Sequence, residues 1–145
     1  MMKKLGIVLA ALLWASLACA QQLPSGLTNQ EFAVTATGAG TTAATTATLP
    51  AAGGKFTYIC GFSITSTATA GLASTATVAT VAGGNTLTFG QSVGTSPAVA
   101  STLENFSPCI PASAVSTGIT VTSAAAGTAG VTNVSVWGYQ FSPQN

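Results

Sequence analysis

The longest regular alternation of apolar and polar residues lies between Phe56 and Ile64. Its apolar members occupy every second position: Phe56, Tyr58, Cys60, Phe62 and Ile64. Successive side chains of a β-strand point to opposite faces, so this pattern predicts a strand with one buried face. Because three of the nine residues are aromatic, we expect this segment to be the central core strand, with Cys60 on its core face.

The C-terminal segment Val131–Phe141 also alternates, but its apolar residues change face part-way along. Two valines share one face and three aromatic residues share the other: Val134 and Val136, against Trp137, Tyr139 and Phe141. A bulge beside Gly138 would turn both sets towards the core. Alternatively, the core covers one face of the strand and a partner covers the other. We expect the aromatic residues to be core residues, and stacking on sugar rings is their alternative role.

The rest of the chain predicts strands separated by turns rich in Gly, Pro, Ser and Thr. The tight-turn signal Gly83–Asn85 predicts a hairpin between Thr75–Val81 and Thr86–Phe89. The two prolines of Pro108–Pro111 predict an irregular crossing that cannot be a central strand. We therefore predict an all-β domain over residues 32–145, a single antiparallel β-sandwich of jelly-roll type with about eight short strands.

The first 20 residues have the features of a secretory signal peptide. A short basic region precedes the apolar run Leu5–Leu17, and the small residues Ala18–Ala20 follow it. The run is too short to span a bilayer, so we expect a cleavable signal helix over residues 1–20 and no membrane span afterwards. The mature chain would begin with an extended arm over residues 21–31. These features predict export, to the periplasm or out of the cell.

Cysteine usage agrees with export. Cleavage would remove Cys19, whose lipidation is disfavoured because Ser16 stands where such sites usually carry leucine. The remaining pair, Cys60 and Cys109, is expected to form a disulfide in an oxidising compartment. The alternative is a pair of buried free thiols that fill space in the core.

Charged residues are so few that two classes of partner are excluded. The 145-residue chain has three Lys or Arg, two Asp or Glu and no His. Only Lys55, Glu31 and Glu104 remain once the signal peptide is removed. Binding to nucleic acid or to an anionic lipid surface needs clustered Lys or Arg, so we expect neither partner.

The same scarcity leaves little material for catalysis. Glu31 and Glu104 are the one carboxylate pair available to a glycosidase, and we interpret both as solvated surface groups. Without His, a serine nucleophile would depend on Lys55, which we expect to point to water. Metal ligands are also scarce, because a disulfide would consume both thiols. We therefore predict that the protein is not an enzyme and uses no cofactor or metal.

Pairs of threonines two positions apart recur along the chain: Thr35/Thr37, Thr46/Thr48, Thr67/Thr69, Thr75/Thr77, Thr86/Thr88 and Thr120/Thr122. Each pair places two hydroxyls on one face of a strand. Regular threonine ladders on β-solenoids can bind ice, but the intervals here are irregular and predict no solenoid. We interpret the pairs as ordinary solvent faces of a charge-poor sheet.

Three short segments carry a resemblance to a known group of proteins. They are Leu49–Phe62 (LPAAGGKFTYICGF), Pro111–Ala114 (PASA) and Val136–Tyr139 (VWGY). In this order they resemble a diffuse group of small proteins from bacteriophages and prophages, similar to jelly-roll virion components such as decoration proteins, with related bacterial members that carry leaders. The resemblance covers most of the mature chain and implies a virion component as an alternative location.

Two functions fit these observations. The first is a non-catalytic structural module that forms homo-oligomers or packs on a larger surface or virion assembly. A mean hydropathy of +0.56 and a nearly uncharged surface favour it, since little electrostatic repulsion opposes association. The alternative is an exported module that recognises glycans or a cell-surface receptor through its polar loops and through Trp137, Tyr139 and Phe141.

Overall fold

The structure, a computed structural model, describes residues 32–70 and 72–142. The predicted signal peptide (residues 1–20) and arm (residues 21–31) lie outside this part of the chain. Eight β-strands make up most of it: β1 (Phe32–Gly40), β2 (Thr45–Leu49), β3 (Phe56–Ala68), β4 (Leu72–Val81), β5 (Asn85–Thr95), β6 (Ala100–Pro111), β7 (Ile119–Ser123) and β8 (Val131–Phe141). No α-helix occurs within the described ranges. The predicted all-β class with about eight strands is confirmed.

The strands pair as one long hairpin that has been rolled up. β4 pairs antiparallel with β5 at the tip, followed by β3 with β6, β2 with β7 and β1 with β8. Two further antiparallel pairings, β3 with β8 and β4 with β7, join successive turns of the roll. A short parallel contact between β3 and β5 completes a single eight-stranded sheet. The sheet nearly closes into a barrel and is similar to a β-sandwich.

The sheet has two halves that pack face to face. One half has the strand order β6-β3-β8-β1, and the other has the order β5-β4-β7-β2. The halves approach each other at β1 and β2, where a side chain at Gly38 would run into the backbone carbonyl of Thr46. A glycine in β1 therefore permits the close approach.

The hydrophobic core lies between the two halves. It draws on both: Ala47, Leu49, Ile59, Phe62, Ile64, Ala76, Val78, Val81, Ala112, Ile119, Val121, Val134 and Val136. Among the described residues, Phe62 has the largest fully buried side chain. Its ring centroid lies 5.3 Å from that of Phe89 in β5 and 6.1 Å from that of Phe106 in β6. β3 lies between β6 and β8, so its predicted role as a central core strand is confirmed.

The prediction that the five alternating residues of β3 share one face is wrong, because the strand contains a bulge. Ile59 is opposite Gly138 of β8 and Gly61 is opposite Trp137, so Cys60 is an extra residue. An extra residue reverses the alternation beyond it. Residues 57 and 59 therefore face the core before the bulge, and residues 62 and 64 face it afterwards. Phe56 and Tyr58 point outwards, and Cys60 is only partly buried rather than on the core face.

The bulge beside Gly138, one of the two arrangements considered for this strand, is absent from β8. The core-facing residues of this strand alternate without a break: Thr132, Val134, Val136 and Gln140 are all buried. Trp137, Tyr139 and Phe141 accordingly lie on the outer surface, where they are partly buried. The expectation that they are core residues is wrong, because the extra residue lies in β3 and leaves the phase of β8 unchanged.

The predicted hairpin and the predicted crossing had different outcomes. β4 and β5 pair as expected, with Thr77 opposite Thr88, and Ala82–Gly84 forms a 3-10 turn between them. The segment Pro108–Pro111 is the end of β6 rather than an irregular crossing, so that prediction is wrong. Among the described strands β6 pairs only with β3, which confirms that the prolines exclude a central position.

Candidate functional site: an outer aromatic face

Five aromatic side chains form a patch on the outer surface of the β6-β3-β8-β1 half. β3 contributes two and β8 contributes three, and we call the patch the aromatic face: Phe56, Tyr58, Trp137, Tyr139 and Phe141. Opposite residues of a ladder point to the same side, and the ladder places Phe56 opposite Phe141 and Tyr58 opposite Tyr139. All five are partly buried, although the core lies on the other side of their strands.

The two tyrosines are the centre of the aromatic face. Their rings are stacked, with centroids 4.7 Å apart and 9° between the ring planes. The Phe56 ring meets the Tyr58 ring in an edge-on arrangement at 6.5 Å. Ala33 of β1 lies opposite Tyr139, and Pro111 of β6 lies opposite Tyr58. An apolar row therefore crosses all four strands of this half.

Trp137 lies over a glycine. It is opposite Gly61, where a Cβ atom would be 2.6 Å from Trp137 Cζ2 and 2.5 Å from the carbonyl oxygen of Glu104. Both distances are too short for a real side chain. The indole can therefore lie against the backbone of the bulge because residue 61 has no side chain.

A disulfide joins the bulge to the edge strand. The sulfur atoms of Cys60 and Cys109 are 2.05 Å apart, which confirms the predicted bond and agrees with an oxidising, exported environment. Cys60 is the extra residue of β3, and four residues of β6, Phe106 to Cys109, stand opposite it between Asn105 and Ile110. The bond fastens the two strands together where their ladder is interrupted, next to the aromatic face.

The charged side chains of the described residues lie apart from one another in the fold. Lys55 Nζ is 3.6 Å from the centroid of the Phe32 ring, a cation–π contact, so it does not simply point to water as predicted. Glu104 is opposite Phe62, whose side chain faces the core. Glu104 is therefore a partly buried residue on the inner side of β6, not the solvated surface group that was predicted.

Of the candidate catalytic pair, only Glu104 belongs to the described residues. Glu31, the other carboxylate of the candidate pair, lies outside the described residues. Within residues 32–70 and 72–142, no three His, Cys, Asp or Glu side chains come together to hold a metal ion. The same ranges contain no helix long and apolar enough to cross a membrane. The expectation of a protein without catalysis, cofactor or metal stays a prediction.

The outer surface of the other half carries short, uncharged side chains. Its register brings one threonine from each of four strands into a row: Thr46, Thr122, Thr77 and Thr88. The hydroxyls of Thr46 and Thr122 are 3.1 Å apart, and those of Thr48 and Thr120 are 3.2 Å apart. We call this surface the threonine face. Four of the six threonine pairs contribute to it, which agrees with their interpretation as outward-facing positions.

One end of the core is polar, a feature that the apolar alternation did not predict. Five buried, inward-facing residues from five strands form what we call the polar layer: Thr45, Ser66, Gln91, Ser123 and Thr132. Gln91 Oε1 accepts a hydrogen bond from Ser123 Oγ at 2.9 Å, and Gln91 Nε2 donates one to Ser66 Oγ at 3.4 Å. Beyond this layer lies a second, small apolar cluster of Ala68, Val93 and Ala126.

The sequence contained a signal for the bulge in β3 but none for the polar layer. An isolated glycine within a strand pattern is a known bulge signal, so Gly61 could have indicated the phase change that exposes Phe56 and Tyr58. No comparable signal marks the polar layer, because Thr45 is inward and Thr46 is outward in the same run of threonines. Whether each of these threonines faces inwards or outwards is decided by its position in the strand register and not by its residue type.

Comparison with known proteins identifies no relative. The chain matches no protein-family model, no curated protein and no solved structure. The resemblance to phage and prophage proteins therefore stays a prediction.

Proposed function

We propose that the protein is a non-catalytic structural module that assembles with copies of itself through the aromatic face. The observation that carries this proposal is the position of the five aromatic residues. They lie outside a core that is already complete without them, on the surface of a sheet. The proposal corresponds to the second arrangement considered for β8, in which the core covers one face of the strand and a partner covers the other.

The composition of the aromatic face suits a protein interface. Tyr, Trp and Phe are enriched at interfaces, and charged residues are depleted from interface centres. The stacked Tyr58 and Tyr139 and the adjacent Trp137 provide residue types that commonly dominate binding energy. Further along the same outer surface, the ladder places uncharged residues, including Ser63 opposite Ser135. Two copies could therefore meet here without burying a charge.

The edge of the sheet is less suitable for association than its face. β6 is an edge strand that contains Pro108 and Pro111, and proline lacks the N–H group needed to pair with another strand. Glu104 points inwards from the same strand. Prolines and inward-pointing charges are devices that prevent edge-to-edge pairing. Assembly through the face of the sheet is consistent with this protection.

The strand pairing supports the jelly-roll assignment and a role in a larger assembly. In a jelly roll, eight strands form two packed sheets by way of two Greek keys, as in viral capsid domains. The rolled-hairpin pairing of this chain gives the halves β6-β3-β8-β1 and β5-β4-β7-β2, an order that fits such a fold. We propose that the mature protein is exported and self-assembled, with a phage virion as the alternative setting.

The self-association of the mature protein tests this proposal. Light scattering coupled to size-exclusion chromatography is expected to show a defined homo-oligomer. Tyr139→Lys should weaken association by roughly 30-fold or more, because it removes an aromatic anchor and places like charges across the interface. The matched control is Thr77→Lys, which adds the same charge to the threonine face and should leave the oligomer intact.

Fluorescence provides a second readout of the same interface. Trp137 is the one tryptophan that remains after signal-peptide cleavage, since Trp14 belongs to the leader. Its emission should shift to longer wavelength in Tyr139→Lys as the indole becomes solvated. A wild-type protein that is monomeric at every concentration, or a Thr77→Lys variant that dissociates like Tyr139→Lys, would contradict assembly through the aromatic face.

Recognition of glycans is the second candidate function. The observation in its favour is that the stacked Tyr58 and Tyr139 and the neighbouring Trp137 lie on an outer surface, where sugar rings could stack on them. A monomeric protein whose Trp137 emission changes on titration with a glycan, and whose response is lost in Tyr139→Ala, would favour this function over self-assembly.

A further inference from the structure

The polar layer contains hydroxyl groups that no described residue satisfies. Thr45 Oγ1 and Thr132 Oγ1 are enclosed, and neither has a hydrogen-bond partner among residues 32–70 and 72–142. The two side chains are 3% and 0% exposed. Buried polar side-chain atoms nearly always bond to the protein or to an ordered water molecule. These two hydroxyls therefore call for a partner that the described chain does not supply.

The two hydroxyl-bearing residues lie close together around one glycine. Thr132 of β8 is opposite Gly40 of β1, so the two residues share the inward face. A side chain at Gly40 would run into Thr45 Oγ1. The Thr45 hydroxyl thus occupies the inward side of Gly40, next to the position of Thr132.

The same level of the core supplies further polar groups. Thr45 is opposite Ser123, and Thr132 is opposite Ser66. The hydroxyls of both serines are hydrogen-bonded to Gln91. The five polar residues therefore form a ring of neighbouring groups around the inside of the sheet. A third unsatisfied hydroxyl, that of Thr67, lies on the other side of β3 and is not part of it.

We propose that the polar layer holds at least one internal water molecule, hydrogen-bonded to the hydroxyls of Thr45 and Thr132. The layer contains no charged group, so its occupant must be neutral and must both donate and accept hydrogen bonds. Buried water typically makes about three hydrogen bonds to polar groups of this kind. Water meets both requirements.

Removal of single hydroxyls tests the proposal through the sign of the stability change. Thr45→Val and Thr132→Val keep the side-chain shape but remove one partner of the water. If water is bound, each variant should melt roughly 4 °C lower than the wild type, since a hydrogen bond is lost and its partners are left unsatisfied. The matched control, Thr88→Val, removes an exposed hydroxyl from the threonine face and should melt at the wild-type temperature.

The opposite sign would overturn the proposal. A buried hydroxyl without any partner destabilises the fold, so its replacement by a methyl group would raise the melting temperature or leave it unchanged. Melting at or above the wild-type temperature in both Thr45→Val and Thr132→Val would therefore mean that the layer is dry.

A direct measurement on the wild-type protein does not depend on the variants. Magnetic relaxation dispersion of solvent nuclei detects water that remains bound longer than the protein takes to tumble. The wild-type protein should show such water, and the Thr45→Val/Thr132→Val double variant should lose it. A wild-type protein without long-lived water, or a double variant that retains all of it, would refute the assignment.

Discussion

Gly61 allows the Trp137 indole to lie directly against the backbone of β3. The space it leaves is bounded by the indole on one side and by the Glu104 carbonyl on the other. A larger residue would displace the indole, and the stacked tyrosines next to it share the same strands. The arrangement of the aromatic face thus depends on a residue that contributes no side chain to it.

Gly61→Ala is expected to destabilise the protein and to disturb the aromatic face. The added methyl group overlaps two neighbours, one of them backbone, and such overpacking costs about 1–3 kcal/mol. Urea denaturation measures this loss, and near-ultraviolet circular dichroism reports the altered packing of Trp137.

Gly90→Ala is the matched control. Gly90 is an exposed residue of β5, and a Cβ atom there would have nothing within 4 Å. This variant should be neutral or slightly stabilising, because alanine restricts the unfolded chain. Equal losses in Gly61→Ala and Gly90→Ala would show that the contact with Trp137 has no special importance.

Residue type alone could not assign the face of each side chain in β3. Both alternating sets of residues in this strand contain large apolar side chains, since Ile59 follows Tyr58 directly. The sequence therefore predicted the strand correctly but grouped Tyr58 with Phe62, which lie on opposite faces. The same ambiguity placed the aromatic residues of β8 in the core, because alternation shows that residues share a face without showing which face is buried.

At the scale of the strands, the most predictable elements were those bounded by strong turn signals. β8 occupies the predicted range Val131–Phe141, and the β4–β5 hairpin forms around its glycines. β6 continues to Pro111, although an irregular crossing was predicted from Pro108 onwards, because prolines usually end strands. An edge strand tolerates them, and edge position is decided by long-range pairing that a local pattern does not contain.

The Cys60–Cys109 disulfide is expected to stabilise the junction between β3 and β6. It joins residues 49 positions apart at the place where the ladder between these strands is interrupted. The Cys60→Ser/Cys109→Ser pair should lower the free energy of unfolding by about 2–4 kcal/mol. Urea denaturation of the oxidised, reduced and doubly substituted proteins measures this contribution.

Thiol titration provides the control for the disulfide experiment. The mature protein, denatured without reductant, should contain no free thiol, and reduction should release two. Two free thiols before reduction would contradict the bond and would return the pair to the role of core packing. Unchanged stability on reduction would show instead that hydrogen bonds and packing alone hold β6 in place.

At the scale of the whole molecule, several apolar residues of the core could be predicted, but the arrangement of the core and of the surfaces around it could not. Apolar alternation identified core residues such as Phe62, Ile64 and Val136. The polar layer and the alignment of the threonine pairs into one face were not predicted, because both depend on pairing between strands such as β2 and β7 that are distant in sequence. A threonine in β2 acquires its surroundings from β7, β1 and β8, and none of these relationships follows from local spacing.

The rolled-hairpin pairing also implies an order of assembly. The tip, β4 with β5, closes a turn of a few residues, whereas β1 with β8 joins the two ends of the described chain. Closing a long loop costs more entropy than closing a short one, so each completed pair makes the next one easier to form. Residues from β3 and β8 meet only when this winding is far advanced. We therefore expect the proposed contact surface for other copies to form late, after most of the core, so that an incompletely wound chain would not yet display it.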